Sequence, residues 1–109
     1  MTQDTLHQLS TLIRSRRADS AATSYTKELL DGGPERCAKK LGEEAIETII
    51  AALGPDRKAL TREAADLVYH LLVLLESRDV DLDSVLEELG SRMGTSGLAE
   101  KAARMSPQS

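Results

Sequence analysis

The chain contains neither tryptophan nor phenylalanine, and Tyr25 and Tyr69 are its only aromatic residues. An interior built without aromatics has to be filled by Leu, Ile, Val and Ala, which favours packed helices over a sandwich. The single cysteine, Cys37, rules out an internal disulfide. No apolar run is long enough for a membrane span, and no N-terminal stretch resembles a signal peptide, so a cytoplasmic protein without a membrane partner is expected. The basic residues are scattered and the formal net charge is −4, which argues against nucleic acid as a partner. A glycine-rich phosphate loop of the Walker type is also missing. An acidic chain of this kind needs a metal ion or a local group of cations to hold an anionic substrate.

What is present is helical periodicity, on a length of 109 residues that suits one domain. Leu6, Leu9, Leu12 and Ile13 recur at spacings of three and four, and predict a first helix from Asp4 to about Asp19. A small polar loop, 18–24, precedes a helical turn over Tyr25–Leu30, which Asp31-Gly32-Gly33 stops. Pro34 suits the first position of a second helix running to about Leu53. Gly54-Pro55 breaks it, and Asp56 caps a third helix that reaches about Ser77. A fourth starts near Asp81 or Asp83 and stops around Met93-Gly94. The expected organisation is a domain over 1–94 and a tail over 95–109, with a weakly helical piece from Leu98 to Met105 and a disordered end.

The candidate chemistry lies on the second and third helices. Glu44 and Glu47 share a face of the second, with Lys40 one turn earlier and Glu43 close to the same stripe. Glu63, Asp66 and His70 form the corresponding stripe on the third. Side by side, the two helices present four or five carboxylates to each other. Such a group persists in a partly desolvated place only with something cationic among it, and all-oxygen ligands suit Mg²⁺ or Mn²⁺.

On the second helix a plainer reading competes. Ala38, Leu41, Ala45, Ile46, Ile49 and Leu53 form an apolar arc, leaving Lys40, Glu44 and Glu47 on what looks like a solvated face. The third helix is different. Leu67, Val68 and the run Leu71–Leu75 wrap most of its circumference, with a polar strip only near Arg62, Tyr69 and Glu76. Glu63 and Asp66 lie outside that strip, so they are expected to point into a packed place and to need a partner there. The surplus apolar surface of this helix predicts a homodimer. Lys27, Lys39 and Lys40 are candidate neutralisers of substrate phosphates, and His70 is either a substrate contact or a structural hydrogen-bond partner. A helical interaction module with a merely solvated acidic face remains the alternative from a different class.

The string Lys39-Lys40-Leu41-Gly42-Glu43-Glu44-Ala45-Ile46-Glu47, followed by Glu63-Ala64-Ala65-Asp66-Leu67-Val68-Tyr69-His70, closely resembles the phosphoribosyl-ATP pyrophosphatase family of histidine biosynthesis. Ser24-Tyr25-Thr26 and Thr95-Ser96-Gly97-Leu98-Ala99-Glu100-Lys101 resemble two further segments of that family. Thr23 departs from it, standing where a glycine commonly precedes the tyrosine motif. The acid pattern alone is shared with the wider all-α MazG and dUTPase-like pyrophosphohydrolases, so a role in cleaning the nucleotide pool is the nearer alternative. The resemblance implies a MazG-like bundle of four to five helices completed by homodimerisation, here as a stand-alone domain without the cyclohydrolase to which it is often fused. It implies Mg²⁺-dependent hydrolysis of phosphoribosyl-ATP to phosphoribosyl-AMP and pyrophosphate, with Glu44, Glu47, Glu63 and Asp66 as metal ligands. Glu43 or Glu47 is the expected base, and Tyr25, Lys27, Lys39, Lys40 and His70 are the expected substrate contacts.

Overall fold

Side-chain caps decide where three of the helices begin. In the computed structural model, which describes residues 4–93, the Asp4 carboxylate accepts the Leu6 N–H at 2.8 Å and opens α1, Thr5–Ser15. A 3-10 turn, Arg16–Ala18, prolongs it. The Ser24 hydroxyl accepts from the Lys27 N–H at 3.1 Å ahead of α2, Tyr25–Asp31. Asp56 accepts from Lys58 and Ala59 at 2.9 and 3.2 Å ahead of α4, Arg57–Ser77. Each cap gives a partner to N–H groups that the first helical turn leaves unpaired. Between α2 and α4 runs α3, Gly33–Ala52, with Pro34 in its first turn. Only Gly32 separates α2 from α3, and the chain redirects there because Gly33 takes a φ of +81°, which a side chain would strain. Asp79 adopts a φ of +58° in the turn before α5, Leu82–Arg92. Thr23 keeps an ordinary negative φ, so the glycine it replaces is not required by the backbone.

Among the described residues there are five α-helices and no strand, in agreement with the all-α expectation. No helix among the described residues is long and apolar enough to cross a membrane. The tail expected over 95–109, its helix from Leu98 to Met105 and its disordered end lie outside the described residues.

α3 and α4 form an antiparallel hairpin with the most extensive helix contact in the molecule. The core sits towards its open end, where Ile13 of α1, Leu29 of α2, Cys37 of α3, Leu72 and Val73 of α4, and Leu82 of α5 meet. The Cys37 thiol donates to the Leu29 carbonyl at 3.3 Å. At the same end the buried Glu76 carboxylate binds Arg14, at 3.4 Å, and Arg17, fastening the C-terminal half of α1 and the 3-10 turn to α4.

Two face assignments made from periodicity are overturned. Ile46, Ile49, Ile50 and Leu53 of α3 are exposed, whereas Cys37, Glu44 and the half-buried Thr48 look towards α4. On α4, Glu76 and Tyr69 are not a solvated strip. Glu76 is buried, and the half-buried Tyr69 shares a 2.5 Å hydrogen bond with Thr26 of α2, while Asp66, Val68 and Leu71 are exposed. A helical period tells which residues share a face but not which face meets a neighbour in the same chain.

Candidate metal centre

The inward face of α3 brings Glu44 against the first half of α4. Its carboxylate is buried, and Glu44 Oε1 and Glu63 Oε1 have no hydrogen-bond partner among the described residues. Together with Asp66 they offer three carboxylate oxygens within 4.8 Å of one another. The fourth expected ligand, Glu47, is exposed and falls outside this tight set, but its carboxyl lies within hydrogen-bonding reach of Glu63. Burial holds the Glu63 carboxyl above its ordinary value, reinforced by the charge and hydrogen bond of Glu47 and then by the charges of Asp66 and Glu44. The expectation that α4 alone hides its acids needs correcting, because Glu44 is the buried member and Asp66 is open to solvent.

Lys40 is the cation facing this group. Its ammonium is 3.3 Å from Glu43 and 3.9 Å from Glu44, and the hydrogen bond to Glu43 raises its pKa above the usual lysine value. One ammonium shared by two carboxylates leaves Glu63 and Asp66 without an ion pair among the described residues. An all-oxygen donor set with excess negative charge and two buried oxygens lacking a donor fits a hard divalent cation.

The flank of the site is aromatic. His70 Nδ1 lies 2.8 Å from the Asp66 carbonyl oxygen, which can only accept, so Nδ1 carries a proton. With the ring neutral, His70 Nε2 then accepts from the Tyr25 hydroxyl at 3.2 Å. Tyr69 packs edge-on to His70 with centroids 4.8 Å apart and stacks with Tyr25 at 6.4 Å. Through these contacts α2 is docked one turn beyond the acids, and Tyr25 is left half-exposed beside them.

The basic candidates divide. Lys27 is tied to Asp31 at 2.9 Å, Lys40 serves the acids, and Lys39 is exposed and makes no ion pair among the described residues. Glu43 is held by Lys40, whereas Glu47 has no such cation among the described residues. Sequence reasoning passed over Thr48, whose hydroxyl lies 2.8 Å from the Glu44 carbonyl and 3.1 Å from that of Glu63. Its position one turn after Glu44 on the same face was the available signal.

The profile of the family described as phosphoribosyl-ATP pyrophosphohydrolase matches residues 6–93. A phosphoribosyl-ATP pyrophosphatase of Jannaschia sp. (strain CCS1) is 56% identical over 99 residues, covering 91% of this chain and 97% of that protein. One from Rhodobacter capsulatus is 54% identical, with 91% and 96% covered. Phosphoribosyl-ATP pyrophosphatase 1 of Rhodopseudomonas palustris is 52% identical over 104 residues, with 95% and 97% covered. Since the match runs from α1 through both acid-bearing helices to the end of α5, this chain belongs to the phosphoribosyl-ATP pyrophosphohydrolase family.

Proposed function

We propose that this chain hydrolyses phosphoribosyl-ATP to phosphoribosyl-AMP and pyrophosphate, the second step of histidine biosynthesis, as a cytoplasmic, Mg²⁺-dependent homodimer. The observation that carries the reading is the convergence of Glu44, Glu63 and Asp66 with two buried carboxylate oxygens lacking donors, in a chain whose relatives bear the name of that activity. Glu44, Glu63 and Asp66 would hold the cation, with Glu47 at the open edge of the set. Mn²⁺ suits the same oxygens. When bound, the cation offsets the charge of the triphosphate and of the departing pyrophosphate and lowers the pKa of water.

The protein side chains have the remaining tasks. Glu47 is better placed than Glu43 to take the proton from the attacking water, because it is exposed and is not engaged by Lys40. Attack by water at either phosphorus of the α–β link breaks the bridging P–O bond; at the α-phosphorus pyrophosphate leaves with the bond's electron pair, and at the β-phosphorus phosphoribosyl-AMP does. Lys40 balances the charge of the acids, while Lys39 extends into solvent where phosphate oxygens can reach it. Tyr25 and His70 form a wall for the nucleoside or ribose portion. Ile46, Ile49, Ile50 and Leu53 supply the apolar stripe on which a second protomer would pack.

The test is pyrophosphate release by the purified protein, with phosphoribosyl-ATP compared against a panel of canonical and damaged nucleoside triphosphates in Mg²⁺. Selective turnover of phosphoribosyl-ATP is expected. Equal or better turnover of the panel would reassign the substrate, and no turnover of any nucleotide would remove the enzymatic reading.

A further inference from the structure

Thr48 occupies an unusual place in the α3–α4 hairpin. A threonine within a helix commonly turns its hydroxyl to the carbonyl one turn back, and Thr48 does so towards Glu44 at 2.8 Å. The same oxygen is 3.1 Å from the Glu63 carbonyl on the facing helix. The hydroxyl has one proton to give, so the bond is shared between two backbone oxygens. Both carbonyls belong to residues whose carboxylates contribute the buried, donorless oxygens of the acid cluster. The half-buried hydroxyl therefore ties the backbone behind one acid to the backbone behind the other.

We infer that Thr48 is a positioning residue that sets the separation of α3 and α4 at the cluster and so tunes its affinity for a divalent cation. This inference rests on the metal-site reading proposed above. Its physical basis is the narrow tolerance of a small divalent ion. Oxygen ligands about 2.0–2.1 Å from Mg²⁺ have to lie roughly 3 Å apart when adjacent, so a small slip between the helices opens the set. Carboxylate side chains reorient freely, but here the Glu44 and Glu63 oxygens are buried, and their placement follows the backbone closely. Among the described residues, the other side-chain hydrogen bonds between α3 and α4 are that of Glu47 with Glu63, which lies within the cluster itself, and that of Cys37 with Ser77, at the open end of the hairpin, so Thr48 is the one that reaches the backbone behind the acids. Removing the hydroxyl leaves no buried carbonyl unpaired, since each carbonyl retains its own helical N–H. The fold should persist while the register between the two acids loosens.

The experiment measures Mn²⁺ binding to the nucleotide-free protein by electron paramagnetic resonance, with helicity and melting followed by circular dichroism. Thr48→Val keeps the shape and removes the hydroxyl, and Thr48→Ser restores it. Thr48→Ala covers the case in which valine fails to fold. The dissociation constant for Mn²⁺ is expected to rise about fivefold or more in the valine or alanine variant and to stay within about twofold in the serine variant. A threonine with a merely structural role would alter melting and leave the Mn²⁺ constant unmoved, which overturns the inference. Glu63→Gln separates the two levels of the argument. If that substitution weakens Mn²⁺ binding while Thr48→Val does not, the metal site stands and the role of Thr48 falls. If the wild-type protein binds no Mn²⁺ saturably, both fall.

Discussion

Replacing Ile49 by aspartate should split the proposed dimer. Ile46, Ile49, Ile50 and Leu53 recur at helical spacing on one side of α3 and are 60, 59, 65 and 85% exposed in the single chain. With about 1.5–3 kcal/mol for complete burial of an aliphatic side chain, covering these exposed fractions contributes roughly 4–8 kcal/mol per protomer, or about 8–16 kcal/mol for two. Association costs on the order of 4–15 kcal/mol in lost translational and rotational freedom, so the stripe suffices for a dimer only by a modest margin. Ile49→Asp removes about 1–2 kcal/mol of that burial from each protomer, and a two-fold contact incurs the loss twice. The cost of desolvating the new carboxylate adds to it. The dissociation constant should therefore rise at least ~100-fold. Sedimentation equilibrium over a wide concentration range reads the constant, and circular dichroism checks that the variant remains helical. A wild-type chain that sediments as a monomer throughout, or a variant that dimerises as tightly as wild type, would refute the reasoning.

Glu47→Gln and Asp66→Asn should each abolish metal-dependent pyrophosphate release and leave the far-ultraviolet spectrum unchanged; near-normal turnover in either would remove that residue from the site. His7 of α1 lies 3.0 Å from Asp4 and 2.6 Å from Asp83 of α5, and hydrogen bonds first to Asp83 and then to Asp4 raise its pKa. The folded chain holds this proton more tightly than the unfolded one, so the stabilisation is complete below the ordinary histidine value and is lost as pH rises through the raised one. Melting temperatures of wild type and His7→Gln should accordingly differ at acidic pH and converge in the alkaline range, and a constant difference across that range would contradict the assignment. Glu76→Gln should cost about 1.5–3 kcal/mol by weakening charged hydrogen bonds to Arg14 and Arg17, lowering Tm by roughly 5–15 °C. An unchanged melting curve would mean that the two arginines are equally well served by water.

The path of the chain was legible because it depends on local chemistry. Asp56, Pro34 and the glycines at 32 and 33 act within one helical turn, and the observed bounds of α3 and α4 follow from them. The pairing of Glu44 with Glu63 and Asp66 was legible in part, because the two acidic stripes lie on consecutive helices and match the family's acid pattern, although periodicity alone left Glu44 on an apparently solvated face. The orientation of the helices about their own axes was not. The isoleucines of α3 mark an apolar arc but carry no information on whether it packs within the chain, and here it faces outward. Glu76 was read as solvated because Arg14 and Arg17, which hold it, lie about sixty positions away in sequence. Thr48 was passed over because the bond that distinguishes it ends on a backbone carbonyl, an acceptor every residue possesses.

The hydrogen bond from Tyr25 to His70 also determines what Tyr25 can recognise. The Asp66 carbonyl fixes which ring nitrogen bears hydrogen, and when the ring is neutral the other nitrogen takes the phenolic proton, so that the Tyr25 oxygen has lone pairs alone to show an incoming molecule. A phosphate oxygen meeting it would bring electron pair against electron pair, whereas a ribose hydroxyl or an amino group would bring the missing proton. In the proposed site the half-exposed tyrosine beside the acids would thus act as a polarity filter, sorting the two ends of a phosphorylated nucleoside by which of them can donate.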